Sequence, residues 1–282
     1  MNNAIEVNNL TKQYQDFKLD HVSFKLPAGS IMGFIGENGA GKSTTIKLIL
    51  DLIKKDEGSI KVMGKELDCS KTSMKEQIGA VMDESCFPDN LNLKEISKIM
   101  KNCYKTWDDH EFMNYQQKFR LPIAKPVKEY SRGMKMKLAI AIALSHDSKL
   151  LILDEATSGL DPIVRDEILD VFLDFIQKED HSILISSHII SDLEKICDYI
   201  TFIHQGKIIF SEDKDTLLTK YAIVKCAKNE IDSIGKDAVI AYRKNAFGAE
   251  VLVDKKKVKG NFVMDRAGIE DIMLYFVKEE RA

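Results

Sequence analysis

The sequence of 282 residues predicts an α/β fold: a core built on a parallel sheet, followed by a small C-terminal α+β appendage. Short apolar segments alternate with segments of helical periodicity, a pattern typical of parallel strands joined by crossover helices. Two apolar segments, 150–154 and 182–186, are almost uninterrupted, as expected for strands covered on both faces. After about residue 215 the pattern changes to shorter strand-like pieces and a final helix.

The elements of the predicted core follow in chain order. Residues 30–35 form an apolar strand that ends on Gly36, and residues 44–53 form a helix with apolar side chains spaced three and four apart. After the strand at 150–154, Pro162 stands at the first position of a helix and Asp161 precedes it as a natural cap. The strand at 182–186 follows that helix.

Two segments differ from this core. Residues 84–147 are rich in helix formers and polar residues, so we expect a helical insertion subdomain there. Residues 215–282 contain strand-like pieces at 221–226, 239–242 and 250–253, and then a helix with one apolar face. The predicted organisation is therefore a main domain over 1–214 and a small accessory domain over 215–282.

Composition excludes several classes of protein. The net charge of −3 gives no indication of a nucleic-acid partner. Apolar runs stay far below the length of about 18 residues that a membrane span needs, and the N-terminus lacks the order of a secretory signal. We therefore expect a cytoplasmic protein with reduced thiols, because its cysteines form no C-x-x-C pair. These cysteines are Cys69, Cys86, Cys103, Cys197 and Cys226.

A glycine-rich loop stands between the first core strand and the first core helix. It consists of Gly36, Glu37, Asn38, Gly39, Ala40, Gly41, Lys42 and Ser43, and Thr44 begins the predicted helix. Glycines let backbone N–H groups surround phosphate oxygens, and the helix N-terminus adds a positive dipole end. Lys42 can reach the terminal phosphates and the Ser43 hydroxyl can ligate Mg²⁺. The loop predicts a nucleotide site.

Two carboxylates stand at the end of the apolar strand at 150–154. Asp154 is the last residue of the strand, and Glu155 follows it directly. Because the carboxyl ends of parallel strands share one edge of the sheet, we expect Asp154 near the phosphate loop. Asp154 suits Mg²⁺, directly or through water, and Glu155 suits orienting or deprotonating the attacking water.

Other segments resemble the motifs of one family. Ser131, Arg132 and Gly133 resemble the signature sequence of ATP-binding-cassette (ABC) proteins, and Ser131 stands 23 residues before Asp154. Residues 158–161, ending in Asp161, look like that family's D-loop, and His188 looks like its switch histidine. Tyr14 stands where the family has an aromatic residue that stacks on adenine. The resemblance covers roughly residues 1–215, and it is specific because all these motifs occur in the family's order.

The resemblance implies a P-loop NTPase core of the ABC ATPase type that binds ATP and Mg²⁺. Lys42, Glu155 and His188 would then act in hydrolysis, and residues 131–133 would face the γ-phosphate held by a second subunit. The two subunits would form a head-to-tail homodimer or heterodimer. Within the family, the similarity is greatest to bacterial subunits, often of exporters, that work peripherally on the inner face of the membrane with a separate integral membrane permease.

The sequence departs from the family pattern at two places. Arg132 and Met134 replace a glycine and a glutamine of the signature, whose backbone anion site tolerates such changes. Asp83 stands where the family has a glutamine that senses the γ-phosphate and Mg²⁺, and a carboxylate there could hold Mg²⁺ but cannot donate an amide hydrogen bond. Two alternatives stay open: a soluble ABC-type ATPase that acts on ribosomes or DNA, and a nucleotide switch that does not hydrolyse ATP.

Overall fold

The computed structural model describes residues 2–66, 72–82, 88–277 and 280–281. Asp83, predicted as a metal ligand, lies outside these ranges, as do Cys69 and Cys86. The strands are β1 (Asn3–Gln13), β2 (Lys18–Pro27), β3 (Ile31–Ile35), β4 (Glu57–Val62), β5 (Lys65–Glu66), β6 (Ile78–Val81), β7 (Leu150–Asp154), β8 (Ser182–Ser186), β9 (Tyr199–His204), β10 (Lys207–Asp213), β11 (Tyr221–Cys226), β12 (Val239–Lys244), β13 (Ala249–Asp254), β14 (Met264–Arg266) and β15 (Glu280–Arg281). The helices are α1 (Lys42–Ile49), α2 (Thr72–Lys75), α3 (Leu93–Cys103), α4 (Asp109–Lys118), α5 (Arg132–Leu144), α6 (Pro162–Phe175), α7 (Ile190–Ile196), α8 (Lys214–Lys220), α9 (Ile231–Ile234) and α10 (Ile269–Val277).

A central sheet with the strand order β10-β9-β3-β8-β7-β6 confirms the predicted parallel core. The neighbouring pairs from β9 to β6 run parallel, and β10 joins β9 as an antiparallel edge strand. Every residue of β3, β7 and β8 is buried, because apolar clusters cover both faces of the sheet. The carboxyl ends of these three adjacent strands therefore present their following loops at one edge.

A second sheet at the N-terminus, with the order β2-β1-β4-β5, was not assigned from the sequence. It is antiparallel, and β2 alternates buried and exposed side chains because one face packs on the core and the other meets solvent. The buried ring of Phe24 in β2 stacks on the ring of Phe34 in β3 at a centroid distance of 5.4 Å. The alternating pattern of β1 and β2 gives a weaker sequence signal than the uninterrupted apolar runs of the central sheet, although these two strands are longer.

The helices α3, α4 and α5 lie between β6 and β7 in the chain, within the predicted helical insertion. The longest helix of the described residues, α6, has 14 residues. Among the residues that the structure describes, no helix combines the length and hydrophobicity needed to cross a membrane.

The first turn of α3 offers a test of local stability. The Asn92 side chain accepts hydrogen bonds from the backbone N–H groups of Lys94 and Glu95, and the Glu95 carboxylate accepts one from the Asn92 N–H, which completes a capping box. We expect Asn92→Ala to lower the free energy of unfolding by about 1 kcal/mol, since those amides lose their partner. Urea unfolding measures this change. Asn92→Ser, which restores a capping oxygen, should stay within a few tenths of a kcal/mol; equal losses in both variants would contradict the capping role.

The C-terminal residues form a third, antiparallel sheet with the order β14-β11-β13-β12-β15. The strands predicted at 221–226, 239–242 and 250–253 correspond to β11, β12 and β13. The helix α10 packs between this sheet and the central sheet. The centroid of the Phe276 ring lies 5.7 Å from that of Phe210 in β10 and 5.8 Å from that of Tyr221 in β11. Residues of the predicted accessory domain therefore share one apolar core with residues of the predicted main domain. The division of the chain at residue 214 stays a prediction.

Candidate functional site

The glycine-rich loop lies between β3 and α1, at the carboxyl edge of the central sheet. A Cβ atom on Gly36 would lie 2.4 Å from the backbone oxygen of Ile203, so the loop packs against β9 only with glycine there. Gly41 has a φ of 112°, and a Cβ on it would lie 3.0 Å from Phe17 and Leu19 of the N-terminal part. These close approaches shape the loop into a backbone cradle.

The helix that follows the loop begins earlier than the sequence analysis predicted. Its bounds are Lys42–Ile49 instead of 44–53, and Gly41 is its N-cap. The first turn therefore contains Lys42, Ser43 and Thr44, whose backbone N–H groups belong to the free amides of the helix N-terminus. The helix ends before Asp51, which has a φ of 56°. Counting apolar spacing alone could not detect either end, because both depend on backbone angles.

Lys42 is almost fully buried, with 6% of its surface exposed. Its Nζ donates a hydrogen bond to the Gly36 oxygen at 2.8 Å and lies 3.4 Å from Oε1 of Glu155. The structure thus brings together the loop lysine and the acid that the sequence analysis assigned to water activation. A buried ammonium held by the loop's own carbonyl is a fixed positive charge at the cradle.

The acidic pair at the end of β7 is held by the neighbouring strand β8. Ser186 Oγ donates to Oδ1 of buried Asp154 at 2.6 Å, and the Glu155 N–H donates to Ser186 Oγ at 3.1 Å. Glu155 itself has a left-handed φ of 54°, which turns its side chain away from the strand direction. Ser186 was not predicted as a site residue, and its position at the carboxyl end of the apolar strand β8 was the available signal.

His188, which resembles the family's switch histidine, lies beside the acidic pair. Its Nδ1 is 2.7 Å from Oε2 of Glu155, and its side chain is half exposed. Glu155 therefore contacts Lys42 through one carboxylate oxygen and His188 through the other. This two-sided contact orients the carboxylate.

Tyr14 lies between β1 and β2, with 42% of its surface exposed. Its ring lies 6.5 Å from the ring of Phe17, and Phe17 is the residue that packs on Gly41. Lys12 Nζ lies 5.8 Å from the centre of the Tyr14 ring. The exposed ring is thus linked through Phe17 to the phosphate loop, and it offers a flat surface for stacking.

The signature-like segment lies at the start of α5. Ser131 caps this helix by accepting a hydrogen bond from the Met134 N–H at 3.2 Å. Gly133 faces Val164 and Leu160, so the first turn of α5 packs on the loop 158–161 and the start of α6. Asp161 caps α6 through a 3.0 Å hydrogen bond from the Val164 N–H, as predicted.

A lysine-bearing glycine loop that faces acids at the end of another parallel strand of the same sheet is the architecture of phosphate-binding-loop ATPases, and the fold and site define this class. A family model described as ABC transporter matches residues 19–158. The bacitracin transport ATP-binding protein BcrA of Bacillus licheniformis is 37% identical over 216 residues, which cover 74% of this chain and 69% of that protein. The chain belongs to the ABC transporter family, as one of its ATP-binding proteins, and it is an ATPase.

Further similarities agree with this assignment. The lantibiotic transport ATP-binding protein SrtF of Streptococcus pyogenes is 36% identical over 222 residues, covering 75% of this chain and 91% of that protein. A solved structure described as an ATP-binding subunit of an ABC transporter superposes with a TM-score of 0.69 at 28% identity, covering 76% of this chain and 91% of that one. The fold class and the family predicted from the sequence are confirmed.

Proposed function

We propose that the chain is the ATP-hydrolysing motor subunit of an exporter whose membrane-spanning part is a separate permease. The observation that carries this proposal is the contact of Glu155 with both Lys42 and His188, at 3.4 and 2.7 Å. This contact brings three proposed roles into one site: Lys42 as the cation that binds phosphate, Glu155 as the general base and His188 as the switch residue.

The residues of the site fit a triphosphate with Mg²⁺. The cradle amides and Lys42 would hold the phosphates, and the exposed ring of Tyr14 would stack on the adenine. Ser43 and Asp154 offer the hydroxyl and carboxylate oxygens that Mg²⁺ prefers, and the ion would neutralise phosphate charge when bound. Asp83 would contribute a further carboxylate.

Glu155 is the proposed base for the attacking water. The Glu155 carboxylate would accept a proton from the water molecule while the water oxygen approaches the γ-phosphorus. His188, in contact with Glu155, would keep the carboxylate directed at the water and stabilise the transferred phosphoryl group through its exposed edge. Lys42 would offset the charge that develops on the phosphate oxygens.

A second subunit would complete the site. Ser131, Gly133 and the free amides at the start of α5 form an anion-binding end of a 13-residue helix, to which Arg132 belongs. In a head-to-tail pair this end would face the γ-phosphate on the partner's loop, with Asp161 at the same interface. ATP would then hold the pair closed and hydrolysis would release it, which is a two-state cycle able to drive a permease. Both a homodimer and a heterodimer fit this geometry.

The direction of transport rests on the relatives. Their names assign one of them to bacitracin transport and the other to lantibiotic transport. Export is therefore the direction we propose for this chain, with the chain bound peripherally to the inner face of the membrane.

Membrane co-purification tests this assignment. We expect the tagged full-length chain, expressed in its native cell, to sediment with membranes and to elute after detergent extraction together with a multi-span integral membrane protein. Alkaline carbonate should release the chain but leave the integral protein, since the chain is a peripheral subunit. A chain that stays out of every membrane fraction, or that brings down bulk RNA or DNA, would contradict the motor assignment.

A further inference from the structure

Arg132, at the first position of α5, reaches across to the loop 158–161. A Cβ atom placed on Gly159 would lie 2.6 Å from Nη1 and 3.0 Å from Cζ of Arg132, so the guanidinium lies directly against the Gly159 backbone. Gly159 has a φ of +67°, a left-handed conformation that favours glycine. The guanidinium thus occupies the place of a Cβ atom at position 159, and the flexible end of Arg132 would have to shift to admit one.

A second arginine also contacts the same loop. Arg165 Nη2 donates to the backbone oxygen of Leu160 at 3.4 Å, and Nη1 lies 3.5 Å from the buried carboxylate of Asp192. Asp192 belongs to α7, which begins two residues after His188. The loop 158–161 is therefore clamped between the start of α5 and the helix that follows the switch histidine.

We propose that Arg132 is a positioning residue for ATP hydrolysis: its guanidinium fixes Gly159, so that the α5 start and the His188 segment keep one relative placement. This inference rests on the proposed function, because α5 would contact the partner's nucleotide while His188 acts on the chain's own. The Arg132 guanidinium acts through Gly159, whereas the Arg132 backbone N–H belongs to the anion-binding start of α5. A planar guanidinium suits this role because it lies flat against a peptide backbone, which an ammonium cannot do.

A double-mutant cycle on the purified full-length chain tests the contact. The variants are Arg132→Ala, Gly159→Ala and the double variant, and kcat and KM for MgATP are measured for each. We expect Arg132→Ala to lower kcat about tenfold with KM changed less than about twofold, within the range of coupling through one contact. Arg132→Lys should recover only part of the loss. Lys135→Ala, which removes another cation one turn further along α5, should stay within about twofold of wild type.

The cycle separates the contact from backbone strain. Alanine at position 159 suffers the same left-handed strain in both backgrounds, but it collides with the guanidinium only when Arg132 is present. The double variant should therefore retain about fivefold more activity than the product of the two single effects. Two results would overturn the positioning role and leave the proposed function intact. In the first, the kcat of the double variant agrees within twofold with the product of the two single effects. In the second, Arg132→Ala changes only KM. A wild-type chain without ATP turnover would contradict both.

Discussion

Glu155→Gln should abolish ATP turnover while ATP binding is retained. The amide keeps the size of the side chain and its contact distance to Lys42 and His188, but it cannot accept a proton from water. Loss of a general base costs on the order of 10²–10⁴ in rate, so kcat should fall by that factor. Phosphate release by the pure full-length chain measures turnover, and titration with a fluorescent ATP analogue measures binding.

The same variant also tests the head-to-tail pair. Because bound ATP is no longer consumed, sedimentation with MgATP should show a dimer, whereas wild type with MgATP should return to monomer as ATP is used. Glu57→Gln makes the same chemical change at an exposed position of β4 and should leave kcat unchanged. Normal hydrolysis by Glu155→Gln would remove the assigned role of this acid, and a wild type that binds but never hydrolyses ATP would favour the non-hydrolysing switch.

Lys42→Ala should weaken nucleotide binding by about 10- to 150-fold. The buried Nζ is the cation of the cradle, and hydrogen bonds to charged groups contribute about 1.5–3 kcal/mol each. Alanine also leaves the Gly36 oxygen and Glu155 without the partner they contact at 2.8 and 3.4 Å. The fluorescent ATP analogue titration measures the dissociation constant.

Lys47→Ala provides the matched control for this lysine. Lys47 lies on the same helix α1 but is exposed, so its removal tests the loss of one helix cation without touching the cradle. Its dissociation constant should stay within about twofold of wild type. Equal weakening by both variants would show that helix charge, rather than the contact of Lys42 with phosphate, controls the affinity.

Short-range features of the site were predictable because they depend on neighbours in the chain. The phosphate loop needs glycines at set spacing, and the cap at Asp161 needs a carboxylate just before Pro162; both patterns are visible in a few consecutive residues. The acidic pair at the end of β7 was also recognisable from adjacent residues. Its position near the loop could be predicted because the carboxyl ends of parallel strands share one edge of the sheet. Asp83 lies outside the described residues, and its role as a metal ligand stays a prediction.

The sequence by itself determined the family, the α/β fold class and the local patterns of the glycine-rich loop and the acidic pair. Only the tertiary structure decided which distant residues meet. Placing β8 between β3 and β7 brings Ser186 to Asp154 and His188 to Glu155, and packing α5 on the start of α6 brings Arg132 to Gly159. Such contacts depend on the strand order and packing of the whole core, which no local pattern of residues encodes, whereas the glycines of the loop and the cap at Asp161 are recognisable within a few consecutive residues.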